Sequence, residues 1–176
     1  MLISTVNLSN GSRVFLIDQW LTADALKELR SICHTYSQNN DNWKSADWSD
    51  LRWYYHGSLE NIIKEISTAK SINDAVGKSL IFANASLWID LPGPGGMTPH
   101  VEGDGSYLAQ IYISDKEWPD CGTTIYNDQK QILFQLPFRD NFGWLFEYGT
   151  TVMHGREHDV PDGLNRFSLM IWYTVN

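Results

Sequence analysis

The residue pattern of the chain changes near Leu80, and this change constrains the fold more than any other feature. From that point short apolar stretches alternate with turn residues, which is typical of strands. The segment 91–96, Leu-Pro-Gly-Pro-Gly-Gly, is the strongest break among them. The predicted strands are 81–90, 107–114, 122–126, 131–136, 143–147, 149–154 and 166–174. Seven or eight short strands favour a double-sheet barrel or jelly roll.

The part of the chain before Leu80 has mainly helical periodicity. A helix is predicted from Thr22 to about Ser37, because apolar residues recur at intervals of three and four and Thr22 can cap the N-terminus. A second helix is predicted from about Ser58 to Val76, and a short buried strand precedes both at 14–18. The fold class is therefore predicted as α+β, with N-terminal helices flanking the strand-rich core.

The 176 residues suit a single domain. We expect its helical part at about 1–78 and its jelly-roll core at about 79–176. The composition includes 8 Trp, 8 Tyr and 7 Phe, which favours a strand-rich body or a pocket lined by aromatic rings.

The charge and the cysteine content restrict the possible partners and the compartment. The net charge is −8 and no basic stripe is present, so a nucleic-acid partner is disfavoured. No apolar run is long enough to span a bilayer, and we expect no membrane partner. Cys33 and Cys121 lack the spacing of a metal site or a disulfide framework, which favours a reducing, cytoplasmic setting.

A candidate metal site is formed by two distant motifs, Pro99-His100-Val101-Glu102 and Met153-His154-Gly155. Residues i and i+2 of a strand point to the same side, so His100 and Glu102 can reach one metal ion. A second histidine added to such a pair forms the facial triad of non-haem Fe(II) oxygenases, which leaves three coordination positions open. The sequence therefore predicts a catalytic iron site at His100, Glu102 and His154.

Other residues compete for these ligand positions. Asp104 is a rival to Glu102, although it lies between glycines in a predicted turn. His158 is a rival to His154, but it belongs to the polar run 156–159, whereas His154 ends an apolar run. His34 and His56 are expected to be structural or surface residues.

A candidate carboxylate site lies on the last predicted strand. Arg166 and Ser168 share one face of it, and a guanidinium group pairs bidentately with a carboxylate while a hydroxyl adds another donor. Tyr112, on a facing strand, is a further candidate. Arg156 and Arg139 compete with Arg166, but neither lies on a well-patterned strand with a serine on the same face.

The chain resembles the 2-oxoglutarate-dependent Fe(II) dioxygenases, and within them the prolyl-hydroxylase-like branch. The resemblance covers about residues 80–175, and more loosely the strand and helix over 14–29. The residues that carry it are His100-Val101-Glu102, Tyr107 to Ser114, Cys121-Gly122-Thr123-Thr124, His154-Gly155 and Arg166-Phe167-Ser168. Glu102 departs from the pattern, because aspartate is commoner there.

The resemblance implies a double-stranded β-helix core with Fe(II) bound by His100, Glu102 and His154. It implies that Arg166, with Ser168 and Tyr112, binds the cosubstrate 2-oxoglutarate. The implied reaction couples decarboxylation of 2-oxoglutarate by O2 to hydroxylation of an unactivated C–H bond. The expected substrate is a peptidyl residue such as proline or a small metabolite, and no catalytic residue is predicted outside the metal site.

The stretch 39–56 is rich in aromatic residues but has no clean period. One interpretation is a surface loop held down by its rings. The other is a lid or substrate wall, with Arg52, Trp53 and Tyr55 as the first candidates.

Two alternatives to the dioxygenase remain open at this point. One is a cupin-type metal enzyme that needs no keto acid, in which Arg166 would have no clear role. The other is a jelly-roll binding module that binds a ligand, such as a sugar, through aromatic faces and without metal. Fold alone does not separate these possibilities.

Overall fold

The computed structural model describes residues 1–47, 49–67, 70–94, 96–101, 107–147 and 152–175. Within these ranges the helices are α1 (Ala23–His34), α2 (Glu60–Ile66) and α3 (Lys70–Val76). The strands are β1 (Leu2–Asn7), β2 (Arg13–Asp18), β3 (Trp43–Ala46), β4 (Ser49–Tyr55), β5 (Leu80–Asp90), β6 (Met97–His100), β7 (Tyr107–Ile113), β8 (Thr124–Tyr126), β9 (Ile132–Gln135), β10 (Phe142–Glu147), β11 (Met153–Arg156) and β12 (Arg166–Val175).

The described strands form two antiparallel sheets. The major sheet has the order β1-β2-β10-β7-β12-β5-β4-β3, and the minor sheet has the order β6-β11-β8-β9. Strands distant in sequence are neighbours in both sheets, as in a jelly roll. The predicted strand positions within 80–175 agree with the structure to within a few residues wherever they are described.

The major sheet separates two apolar cores, because successive side chains of a strand point to opposite faces. Leu169 and Ile171 of β12 belong to the core that also contains Leu29 of α1 and Ile62 of α2. Met170, from the same strand, belongs to the core shared with the minor sheet. The helices therefore cover one face of the major sheet, and the minor sheet covers the other.

The N-terminal region contains more strand than the sequence pattern predicts. Residues 1–78 contribute β1 to β4 to the major sheet as well as the helices. The predicted cap of α1 is confirmed, since the Thr22 hydroxyl accepts a hydrogen bond from the Ala25 backbone N–H at 3.3 Å. The predicted second helix consists of α2 and α3, and residues 68–69 between them lie outside the described residues.

The aromatic stretch 43–55 is a β-hairpin rather than a loop. Its strands β3 and β4 pair with each other, and β4 also pairs with β5. The pattern obscures this hairpin because both faces carry rings: Trp43 and Trp53 pack on the helix side, whereas Tyr54 packs against Trp88 on the other. Trp48, between the two strands, lies outside the described residues.

No helix in the described ranges has the length and apolarity required to cross a membrane.

Candidate active site

The two histidines of the predicted metal site face each other across neighbouring strands. His154 of β11 is the register partner of His100 of β6, and their ring centroids are 4.4 Å apart. Gly155 permits this close pairing, because a Cβ there would collide with the Met97 carbonyl oxygen. Gly96 is similarly required, since a Cβ would collide with the Arg156 carbonyl oxygen.

Backbone carbonyl groups orient both imidazole rings. The Nδ1 atom of His100 lies 2.8 Å from the Thr98 carbonyl oxygen, and that of His154 lies 3.3 Å from the Val152 carbonyl oxygen. A carbonyl oxygen only accepts, so Nδ1 carries the proton in each ring. The lone pair is then on Nε2, the nitrogen that can bind a metal ion.

Aromatic rings pack against His154, one of the two histidines. The Phe146 and Trp144 rings lie 4.8 and 5.6 Å from the His154 ring, measured between centroids. These two rings are stacked on each other, which makes that wall rigid. The predicted third ligand, Glu102, and its rival Asp104 lie outside the described residues.

Both histidines line a cavity of about 340 Å³ that also contains the predicted carboxylate anchor, Arg166. The other lining residues are Arg52, Asp90, Met97, Gln110, Thr123, Trp144, Gly155, Arg156 and Met170. Sequence positions from 52 to 170 therefore converge on a single cavity, between the major and minor sheets.

Asp90 organises the arginine end of this cavity. It is the register partner of Arg166 on one side and of Arg52 on the other, so the three side chains form a row across adjacent strands. Its carboxylate lies 2.7 Å from Arg166, 3.3 Å from Arg52 and 3.4 Å from Arg156 of the minor sheet. Three guanidinium groups thus surround a buried carboxylate.

The charges of this cluster shift its own acid–base equilibria. Burial disfavours ionisation of Asp90, but the positive charges of Arg52, Arg166 and Arg156 outweigh it and lower the pKa of Asp90. Burial also lowers the pKa of Arg156, and repulsion from Arg166 and Arg52 opposes the attraction of Asp90. Asp90 is therefore ionised at neutral pH, within a positively charged environment.

Arg166 is held rigidly as well as being charged. Its Nε donates to the Cys121 carbonyl oxygen at 2.7 Å, while Nη1 contacts Asp90. Its guanidinium group lies against the rings of Tyr112 and Phe138, at 5.3 and 5.4 Å from the centroids. A guanidinium fixed in this way is preorganised for pairing with a carboxylate.

Tyr112 and Ser168 lie behind the cavity wall rather than on it. The Tyr112 hydroxyl donates to the Thr123 hydroxyl and accepts from the Thr123 backbone N–H, both at 2.8 Å. The Ser168 hydroxyl accepts from the Gln110 side-chain amide at 3.1 Å. Gln110 and Thr123 line the cavity instead, and Tyr112 and Ser168 are hydrogen-bonded to these two residues.

Of the three residues proposed for a lid, the structure places only Arg52 at the cavity, among the side chains it describes. Trp53 and Tyr55 pack on the opposite face of the sheet, in the core with the helices. The reason is strand alternation, which directs residue 52 to the cavity and residues 53 and 55 to the opposite face of the sheet. Trp53 and Tyr55 are therefore not among the described residues that line this cavity, and their assignment to a substrate wall stays a prediction.

The rival residues lie elsewhere or have other roles. His158 is exposed on the loop after β11, and Arg139 forms an ion pair with Asp18 at 3.2 Å, with over a third of its side chain exposed. His34 lines a separate cavity beside α1, and His56 contacts the Tyr54 ring. Arg156, by contrast, does line the site cavity together with Arg166.

The sequence pattern assigned no role to Asp90, Gln110, Thr123 or Trp144. Asp90 was the easiest of them to identify from the sequence, because a carboxylate at the end of a long apolar strand requires a partner when it is buried. The alternation of Gln110 with Tyr112 placed both on one face of β7. The indole N–H of Trp144 donates to Gln110, Tyr112 and Thr123. No local sequence signal predicts this contact.

Comparisons with solved structures identify the fold. HygX from Streptomyces hygroscopicus, solved with nickel, 2-oxoglutarate and hygromycin B bound, aligns over 93% of this chain and 83% of its own, with a TM-score of 0.62 and 12% identity. A Trichoplax adhaerens prolyl hydroxylase in complex with a hypoxia inducible factor peptide aligns over 95% and 84%, with a TM-score of 0.66 and 15% identity. The chain has the fold of the 2-oxoglutarate oxygenases.

Other solved structures give the same result. A Pseudomonas putida prolyl-4-hydroxylase aligns over 93% of this chain and 92% of its own, with a TM-score of 0.63 and 17% identity. The predicted double-stranded β-helix and the predicted resemblance to the 2-oxoglutarate oxygenase fold are thereby confirmed. No protein-family profile matches the sequence, and no curated protein is significantly similar to it. The similarity therefore concerns the fold.

Proposed function

We propose that this protein is an Fe(II)- and 2-oxoglutarate-dependent oxygenase that hydroxylates an unactivated C–H bond. The observation that carries the proposal is the position of His100, His154 and Arg166 on the walls of one cavity. A metal ion held by the histidines and a cosubstrate held by the arginine would then share this cavity.

The residues present fit the proposed metal. Both imidazole rings donate through Nδ1 to backbone carbonyl groups, which is the arrangement that supports metal binding through Nε2. We propose Glu102 as the third ligand, since it follows His100 by two residues. Two histidines and a carboxylate suit Fe(II) and leave positions for a chelating cosubstrate and O2.

The protein's own contribution is binding, orientation and exclusion of water. Arg166 would pair with the distal carboxylate of 2-oxoglutarate, and Asp90 and the Cys121 carbonyl oxygen hold that guanidinium in place. Gln110 and Thr123 add polar atoms to the wall of the cavity. When bound, iron and 2-oxoglutarate supply the oxidising chemistry. Succinate and CO2 are the expected coproducts.

The substrate is proposed to be a small metabolite or a single peptidyl side chain. A cavity of about 340 Å³ lies at the lower end of the range for ligand pockets, which is roughly 300–1,000 Å³. Since 2-oxoglutarate would occupy part of it, little room remains for a large group near the histidines. The net charge of −8 disfavours nucleic acid as a substrate.

An anaerobic titration with Fe(II) and 2-oxoglutarate tests the proposal. The expected result is a metal-to-ligand charge-transfer absorption band that requires both components. His100→Ala should abolish the band, whereas the matched control His158→Ala, which changes an exposed histidine nearby, should retain it.

The outcomes of this titration separate the alternative functions. Fe(II) binding that 2-oxoglutarate does not perturb would favour a cupin-type enzyme without a keto acid. Absence of Fe(II) binding by the folded parent would favour a metal-free binding module. Either result would overturn the proposed function.

A further inference from the structure

The side-chain amide of Gln110 lies on the wall of the site cavity with both of its ends hydrogen-bonded. Its Oε1 accepts from the Thr123 hydroxyl at 2.8 Å and from the Trp144 indole N–H at 3.2 Å. Its Nε2 donates to the Ser168 hydroxyl at 3.1 Å. Gln110 is only 5% exposed, so these contacts, rather than water, determine which way the amide faces.

Two groups that can only donate fix the direction of these hydrogen bonds. An indole N–H cannot accept, so the atom of Gln110 that faces Trp144 is the amide oxygen. The Thr123 backbone N–H donates to the Tyr112 hydroxyl, which donates to the Thr123 hydroxyl, and this hydroxyl donates to the same amide oxygen. A flipped amide would oppose both donors, so Nε2 is held on the other side.

The fixed orientation leaves one hydrogen of Nε2 for a ligand. A primary amide carries two N–H donors, and the Ser168 hydroxyl accepts one of them. Across the residues that the structure describes, the other has no acceptor, although Gln110 lines the cavity. A buried donor without a partner is costly, so a ligand that places an acceptor at this point is favoured.

The nitrogen end of this amide lies on the Arg166 side of the cavity. Ser168, to which Nε2 donates, follows Arg166 by two residues and shares its face of β12. Ser168 is also the register partner of Tyr112, and the Arg166 guanidinium packs against the Tyr112 ring. The oxygen end faces Trp144, whose ring packs against His154. The remaining N–H is therefore on the side of the carboxylate anchor.

Arg166 leaves part of a bound carboxylate for another donor. Its Nε donates to the Cys121 carbonyl oxygen and its Nη1 to Asp90, so two of its three nitrogen atoms are already engaged. An ionised carboxylate has two oxygen atoms and accepts several hydrogen bonds. A second donor beside Arg166 therefore completes the pairing of that carboxylate.

We propose that Gln110 donates its remaining Nε2 hydrogen to the distal carboxylate of 2-oxoglutarate and shares that carboxylate with Arg166. The inference rests on the proposed function and deepens it. Gln110 then has the role that the sequence resemblance implies for Tyr112, and Tyr112 fixes the amide through Thr123. A fixed donor and a fixed cation at one carboxylate make the site selective for a keto acid with a second carboxylate.

Two keto acids test the assignment, 2-oxoglutarate and pyruvate, because pyruvate keeps the metal-chelating end and lacks the distal carboxylate. Each is titrated anaerobically into the Fe(II)-loaded protein, and its affinity is measured from the charge-transfer band. Gln110→Leu should weaken 2-oxoglutarate binding about tenfold, as expected for loss of a hydrogen bond to a charged group. Pyruvate binding should stay unchanged.

A second variant and a matched control accompany this substitution. Gln110→Glu keeps an acceptor for Thr123 and Trp144 but removes the donor. It should also weaken 2-oxoglutarate binding more than pyruvate binding, and it serves if the leucine variant does not fold. The control is Gln135→Leu on β9, where the glutamine donates to the Asp120 carbonyl oxygen and is not among the described residues that line the cavity. It should keep the parent affinities.

A double variant separates a direct contact from a structural effect. If Gln110 and Arg166 bind the same carboxylate, loss of its pairing with Arg166 also weakens its contact with Gln110. Gln110→Leu should therefore weaken 2-oxoglutarate binding less in an Arg166→Gln background than in the parent. A structural effect of Gln110 would instead multiply with the effect of Arg166.

Four results would overturn the inference and leave the proposed function intact. They are unchanged 2-oxoglutarate binding in either Gln110 variant, an equal loss for 2-oxoglutarate and pyruvate, the same loss in Gln135→Leu, and independent losses in the double variant. Failure of the proposed function is recognised separately. The folded parent with Fe(II) would then give no charge-transfer band with either keto acid.

Discussion

The two faces of the ten-residue strand β12 have different roles. Leu169 and Ile171 point to the helix side and are fully buried in an apolar core. Arg166 and Ser168 point to the other side, where they carry or support the polar groups of the site. The backbone and its hydrogen bonds are common to both faces. The comparison shows that side-chain parity along one strand separates the apolar core from the candidate site.

The same separation holds on β4, at the edge of the site. Arg52 lines the cavity, and Trp53, the next residue, packs with the helices. A substitution on either strand should therefore affect mainly stability or mainly ligand binding, according to its face. The following predictions test how complete this separation is.

The largest effect is expected on the helix face. Ile171→Ala removes a fully buried side chain and leaves a cavity, which lowers the free energy of unfolding by about 2–5 kcal/mol. Urea denaturation measures the loss. Metal and 2-oxoglutarate affinity of the folded fraction should not change, and a large change in either would show that the two faces are coupled.

On the cavity face, Arg166→Gln is expected to weaken 2-oxoglutarate binding. Loss of a hydrogen bond to a charged group costs roughly 1.5–3 kcal/mol of binding free energy, which lowers the affinity about 10- to 150-fold. Titration of the Fe(II)-loaded protein with 2-oxoglutarate measures the effect. Arg139→Gln is the control, and an equal loss in both variants would contradict the assignment of Arg166.

Tyr112→Phe tests the residues behind the cavity wall. It removes the acceptor of the buried Thr123 N–H, so the free energy of unfolding should fall by about 1–3 kcal/mol. The affinity for 2-oxoglutarate should stay unchanged, whereas Gln110→Leu, at the wall itself, should lower it. If Tyr112→Phe lowered the affinity as much as Gln110→Leu, Tyr112 would be a direct cosubstrate ligand.

The smallest effect concerns acid stability. The pKa of Asp90 is lowered in the folded protein, so the folded state binds fewer protons than the unfolded chain at this group. The resulting stability is fully present above the unfolded pKa of about 3.9 and is lost as pH falls through the folded value. Asp90→Asn should therefore lose less stability than the parent on acidification below about pH 4.

Thermal unfolding midpoints at several pH values between neutral and acidic conditions measure this difference. Parallel curves for the parent and Asp90→Asn would contradict it, and would mean that Asp90 ionises alike in both states.

Much of the fold was predictable because it depends on local patterns. The strand periodicity after Leu80 and the Thr22 cap both reflect neighbouring residues, and both predictions agree with the structure. The hairpin at 43–55 was not predicted, since rings on both of its faces conceal the alternation. The split between α2 and α3 was missed as well, because apolar spacing continues through both.

The sequence alone determined which residue types are available to the site: a histidine two positions before a carboxylate, a distant histidine, and an arginine on an apolar strand. Tertiary structure decided which of them meet. Asp90 joins Arg52 and Arg166 through strand register, and Arg156 reaches the same carboxylate from the other sheet. These contacts join residues up to 76 positions apart in the sequence. No local pattern indicates them, because strand register and sheet packing are set by both cores together.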